Sequence, residues 1–124
     1  MNTLFVENST EKWQNYSEFC RSNNWCAGWA INYNAATNGL GYRNYDFVII
    51  GEQLGDLETP SQFVRFIIEN KIKIGVIVLY MENLNNCNSI VDELTKHGYT
   101  VRYHSGNWDK TFGEFTQEAN EGRL

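Results

Sequence analysis

The sequence predicts a single α/β domain spanning residues 1–124, a small three-layer sandwich on a mainly parallel sheet. Three observations predict it. Short β-branched runs alternate with amphipathic helical stretches at lengths that suit βαβ crossovers. The run from Ile74 to Tyr80 is continuously apolar, as in a strand covered on both faces. One Pro, no Ser/Gly-rich linker and no internal repeat leave no domain boundary in 124 residues.

Each element follows from local signals. Leu4-Phe5-Val6 opens the chain as a short strand that ends at Glu7-Asn8. Ser9-Thr10-Glu11 supplies capping chemistry for a helix to about Ser22, with Trp13, Tyr16, Phe19 and Cys20 at helical spacing. Asn23-Asn24 breaks it. Cys26 to Tyr33 reads as a second short strand and Asn34 to Leu40 as a short helix ended by Gly41. Tyr45 to Ile50 is a strand closed by the turn from Gly51 to Asp56. Thr59 then caps a helix with Pro60 at its first position, and Phe63, Val64, Ile67 and Ile68 form its apolar face. After the strand Ile74–Tyr80 comes a helix from about Asn86 to His97, stopped by Gly98. Tyr99 to His104 is the last strand. A short C-terminal extension from about residue 105 carries a final helix over Asp109 to Glu118.

Composition narrows the function. Hydrophobic residues at 42% and aromatics at 15% provide a core, and a charged fraction of 20% argues against a disordered tail or coiled coil. With a net charge of -5, clustered Lys and Arg for phosphate backbones are missing, so direct nucleic-acid binding is not expected. The longest apolar run, Ile74 to Met81, is far short of the roughly 20 residues of a membrane span. The N-terminus lacks a signal peptide's basic and apolar regions, so a cytoplasmic protein is the expectation. Cys20, Cys26 and Cys87 have no CxxC spacing, which predicts reduced core thiols rather than a disulfide framework or a zinc site. Sixteen Asn point to an AT-rich coding sequence, and with the small size to a phage or mobile-element product.

Ligands of open parallel sheets bind beyond the carboxyl ends of the strands. Glu7, Glu52 and Glu82 fall there, after three different strands. Three converging carboxylates would hold Mg²⁺ or act as acid and base on a phosphoester or nucleotide. None lies in a DxD pair, and Asn8, Gln53 and Asn83 beside them are neutral amides. His104-Ser105 is no catalytic pair, because adjacent strand residues point to opposite faces. Neither Gly51-Glu52-Gln53-Leu54-Gly55 nor Gly39-Leu40-Gly41 has phosphate-loop spacing. No cofactor is expected.

The order of segments resembles a family. Leu4-Phe5-Val6-Glu7-Asn8, the stretch Asp46 to Asp56, Tyr80-Met81-Glu82-Asn83 and His97-Gly98-Tyr99 follow one another as in the compact receiver-like domains called cREC, relatives of response-regulator receivers found in phages and bacterial conflict systems. The resemblance covers about three quarters of the chain and implies a receiver-like α/β fold. The family's first strand ends in two Asp, where this chain has Glu7 and Asn8. Its Asp-His-Asp-Leu-Gly is replaced by Gly51-Glu52-Gln53-Leu54-Gly55, and its His-Ser-x-Asn by Tyr80-Met81-Glu82-Asn83. A receiver needs an Asp nucleophile with acidic neighbours holding Mg²⁺. Gly or Gln fills that position here, so the resemblance implies a retained scaffold without the chemistry.

The expectation is therefore a non-catalytic protein that docks on a host protein, a defence or nucleic-acid-processing enzyme with a basic surface, and inhibits or modulates it. Four Trp, seven Tyr and seven Phe with low charge form an interface-like composition. Tyr103, His104, Trp108 and Glu82 near one sheet edge are the expected contacts, with Trp29 and Tyr33 in reserve; a homodimer seam is the other use for such aromatics. The alternative is a metal-dependent phosphoester- or nucleotide-binding domain using Glu7, Glu52 and Glu82.

Overall fold

The computed structural model describes residues 1–51, 60–81 and 84–123, and of 84–86 the backbone only. Strands and helices alternate strictly: β1 (Asn2–Val6), α1 (Thr10–Ser22), β2 (Cys26–Ala30), α2 (Tyr33–Leu40), β3 (Tyr45–Ile50), α3 (Pro60–Glu69), β4 (Ile74–Met81), α4 (Leu84–Lys96), β5 (Val101–Ser105) and α5 (Trp108–Asn120). The strands form one five-stranded parallel sheet in the order β2-β1-β3-β4-β5.

Period-two alternation in the strands sorts the core into two layers. Leu4, Val6, Val48, Ile50, Ile77, Leu79 and Met81 face one side, where α2, α3 and α4 add Leu40, Phe63, Ile67 and Leu94. Phe5, Phe47, Ile49, Val78 and Tyr80 face the other, beneath Tyr16 and Cys20 of α1 and Phe115 of α5. Side-chain caps set where three helices begin. Ser9 Oγ accepts from the Lys12 N–H at 3.3 Å, Asn32 Oδ1 from Ala35 at 2.7 Å and Asn107 Oδ1 from Lys110 at 2.9 Å, each worth about 1 kcal/mol. The caps also use some of the chain's many asparagines.

Two expectations need correction. The second strand stops at Ala30 and does not run to Tyr33, because Asn32 caps α2 and Tyr33 becomes its first residue. Helix α5 closes the second layer, with Phe115 and Thr111 buried. None of the three cysteines is in a disulfide, but Cys26 is exposed and only Cys20 and Cys87 lie in the core. Among the described residues no helix is long and apolar enough to cross a membrane.

Candidate functional site

From β1 the chain steps outward to β2 and then returns to the other side of β1 as β3. This reversal opens a crevice at the carboxyl ends of β1 and β3, where ligands of such sheets bind. Val6 pairs with Ile50, and the Gly51 N–H donates to Val6 O at 2.8 Å, so Glu7 and Gly51 stand side by side at its floor. Both have the parity of Phe5 and Ile49 and belong to the face covered by α1 and α5.

Glu7 is only 3% exposed. A buried carboxylate is tolerable only if its charge is met and its oxygens are bonded. Here Oε1 lies 3.3 Å from Lys12 Nζ and Oε2 accepts from the Ser9 N–H, both partners coming from the start of α1. The Trp29 indole N–H donates to the Glu7 carbonyl at 2.7 Å, and the Trp29 ring stacks on Trp13 at 5.3 Å. Gly51 is required by space: a Cβ there would lie 2.1 Å from Glu7 Cγ. The Glu7 side chain thus lies where a residue-51 side chain would project. The Lys12 ammonium also sits 5.8 Å over the Trp108 ring, a cation–π contact tying α1 to the start of α5.

Along the same edge His104 is buried in β5. Its Nδ1 is 2.8 Å from Glu114 Oε2 and its Nε2 is 3.6 Å from Glu118 Oε1, both carboxylates on α5. Its ring lies 5.9 Å from that of Tyr80, and Trp108 meets Tyr80 edge-on at 5.3 Å. Burial pushes the Tyr80 phenol well above its usual range, with the Tyr16 phenol and the carboxylates of Glu118 and Glu114 adding to the shift.

The sequence-predicted residues divide. Glu7, Trp29 and Trp108 are brought together around Lys12. Trp108 is half-buried, stacked on Phe112 at 4.9 Å, and Trp29 is half-buried too, so both serve the packing. His104 faces inward to α5, while Tyr103 points to the opposite side and is exposed on the edge strand. Tyr33 lies on α2, edge-on to Phe63 in the other layer. Glu52 and Glu82 lie outside the described residues. The reading missed Lys12, Glu114 and Glu118. The two glutamates carried a signal, an i, i+4 pair on a helix shortly after a strand-borne His; Lys12 carried none beyond its place in the first turn after Glu7.

A five-stranded parallel sheet in this order, with two helices on one face and three on the other, is a receiver-like α/β fold. The solved structures it is similar to include response regulators and the receiver domains of other proteins. A two-component response regulator from Clostridium difficile matches with a TM-score of 0.69 at 14% identity, over 100% of this chain and 99% of that one. Chemotaxis protein CheY4 of Vibrio cholerae matches with a TM-score of 0.71 at 16% identity, covering 94% and 96%. The receiver domain of a sensor histidine kinase from Pseudomonas aeruginosa, solved with a magnesium ion coordinated in its active-site cleft, matches with a TM-score of 0.67 at 13% identity, covering 94% of each chain. No family model and no curated protein matches the sequence.

Proposed function

We propose that this chain is a receiver-like domain that works by docking on a protein partner and not by accepting a phosphoryl group. One observation carries the reading. The end of β3, where the family that the sequence resembles carries its acidic motif, begins with a glycine over which the Glu7 side chain is folded, and that carboxylate is already engaged by Lys12 and the Ser9 N–H. A cleft filled by its own side chains has no room at residue 51 for a nucleophile.

The outward face of β5 is the docking surface. Tyr103 is exposed there on an edge strand, and tyrosine combines a large apolar area with a polar tip. The net charge of -5 favours a partner with a basic surface. A host defence or nucleic-acid-processing protein inhibited or modulated in this way, a phage or mobile-element origin and a cytoplasmic location extend the same reading, from the asparagine-rich composition and small size.

Two measurements test it. Incubation with acetyl phosphate and Mg²⁺, followed by intact-mass analysis, is expected to leave the chain unmodified; a stoichiometric acid-stable, base-labile phosphoryl adduct would overturn the loss of chemistry. A Tyr103→Ser variant, which disturbs no packed side chain, is expected to lose at least about tenfold in affinity for a protein captured by the wild type. Unchanged capture would remove β5 as the contact face.

A further inference from the structure

A second cavity lies at the opposite end of the sheet from the strand-end crevice, between the last turns of α3 and α4. It encloses about 430 Å³, a volume in the range of small-molecule pockets. Its floor is apolar, made by Ile68, Ile72, Ile74 and Tyr99, and its rim carries Lys71, Lys73 and His97.

Both helices end in the same way. The Ile72 N–H donates to Ile67 O at 3.1 Å and the Lys71 N–H to Ile68 O at 3.1 Å; the Tyr99 N–H donates to Leu94 O at 3.1 Å and the Gly98 N–H to Thr95 O at 3.0 Å. These are paired Schellman caps, with Lys71 and Gly98 in the left-handed position at φ 52° and 89°. The Tyr99 hydroxyl then donates to Ile72 O at 2.6 Å, with Ile67 O at 3.3 Å, fastening one cap to the other and fixing the ring on the cavity floor.

This arrangement decides what the rim attracts. Two helix C-termini would contribute about half a negative charge each, but the carbonyls of Ile67, Ile68, Leu94 and Thr95 in their last turns are taken up by the caps. Lys71 and Lys73 bring two full positive charges, and among the described residues neither has an ion-pair partner. The overall charge of -5 repels anions at long range, yet salt screens it beyond about 10 Å, inside which the two ammonium groups dominate. Lysine is also an unusual occupant of a left-handed cap position, where glycine carries no steric cost.

We infer that this cavity binds a small organic anion, a molecule with a flat apolar body that sits on the Ile and Tyr99 floor and a phosphate or carboxylate held between Lys71 and Lys73. Titration of the ¹⁵N-labelled chain with adenosine monophosphate and with 2-naphthoate tests it, with inorganic phosphate and adenosine as half-ligands. At least one of the two anions is expected to move the Ile72, Gly98 and Tyr99 amides saturably, about tenfold tighter than either half-ligand. A response to the nucleotide alone assigns a phosphorylated ligand, and to naphthoate alone a carboxylate. The Lys71→Gly variant suits the backbone better, so its melting temperature is expected to rise while anion affinity falls about tenfold; Lys73→Glu is expected to lose binding without Lys71 being touched. Absence of saturable shifts with both anions, or wild-type affinity in both variants, would overturn the inference.

Discussion

The two faces of the sheet are built by the same five strands and packed by different chemistry. Under α2, α3 and α4 the layer is dominated by branched aliphatic side chains such as Val6, Ile50, Leu79 and Leu94. Under α1 and α5 it is aromatic: Phe5 stacks on Tyr16 at 4.8 Å, Trp25 on Phe47 at 5.4 Å, and Phe115 meets Phe19, Tyr16 and Tyr80. Aliphatic packing is non-directional and supports any ligand-free face equally well. Aromatic packing has preferred angles, and its Tyr and Trp members bring polar atoms into the interior. Glu7, Gly51, Tyr80 and His104 all have the parity of the aromatic face, and Lys12, Glu114 and Glu118 reach them from its two helices. The layer that holds the molecule's buried polar chemistry is therefore the one with directional packing.

The largest test of this difference is a cavity cut in each layer. Phe115→Ala is expected to cost about 4 kcal/mol and Ile67→Ala about 3 kcal/mol, read from urea midpoints at constant slope. Both side chains are fully buried, so the ordering reports how each layer relaxes. A smaller loss for Phe115→Ala would mean that the aromatic layer collapses around the hole and is the adaptable one.

A narrower test falls on the crevice. Gly51→Ala forces a Cβ against Glu7 and is expected to cost about 1–3 kcal/mol in thermal melts. Combining it with Glu7→Ala removes the 2.1 Å clash and leaves only the residue-7 Cβ at 3.1 Å, and it ends the need for Lys12 to neutralise a buried carboxylate, so the double variant is expected to recover most of the loss. A neutral Gly51→Ala would show that Glu7 can leave the crevice at little cost, and would reopen the place for a ligand.

Most of the scaffold was legible because strand and helix periods are local properties of the chain. The β-branched run in β4 and the Ser9 and Pro60 starts of α1 and α3 needed no tertiary information. The end of β2 was not legible, since Asn32 serves either as a loop residue or as a cap and only the position of Ala35 decides. The aromatics were harder still. Trp29 and Trp108 look like interface residues in a sequence, and the structure half-buries them against Trp13 and Phe112, partners that lie in other elements or on a helix whose register was not fixed beforehand. The engagement of Glu7 by Lys12 depends on how α1 leaves β1, and the closeness of Glu7 to Gly51 on which strand lies beside β1; neither is a local property.

Alkaline titration separates the two faces by their tyrosines. Burial raises the phenols of Tyr16 and Tyr80 in the aromatic layer furthest, and also raises those of Tyr45 and Tyr99 on the aliphatic side. The Cys20 thiol shifts the same way. In the unfolded chain a phenol loses its proton near pH 10, whereas the buried phenols keep theirs. Above that pH the native state binds more protons than the unfolded one, so stability falls as pH rises; below it the phenols have no effect on the pH dependence, and only the Cys20 thiol, which ionises at about pH 8.5 in an unfolded chain, begins the fall earlier. Each fully buried phenol steepens the fall by about 1.4 kcal/mol per pH unit. Tyr80→Phe is accordingly expected to flatten the stability curve between pH 10 and 11 by about that much, with a smaller flattening for Tyr99→Phe. If Tyr80→Phe leaves the slope unchanged, its phenol reaches solvent before the sheet unfolds. The aromatic layer would then open independently of the aliphatic one, and the crevice it carries would share that mobility.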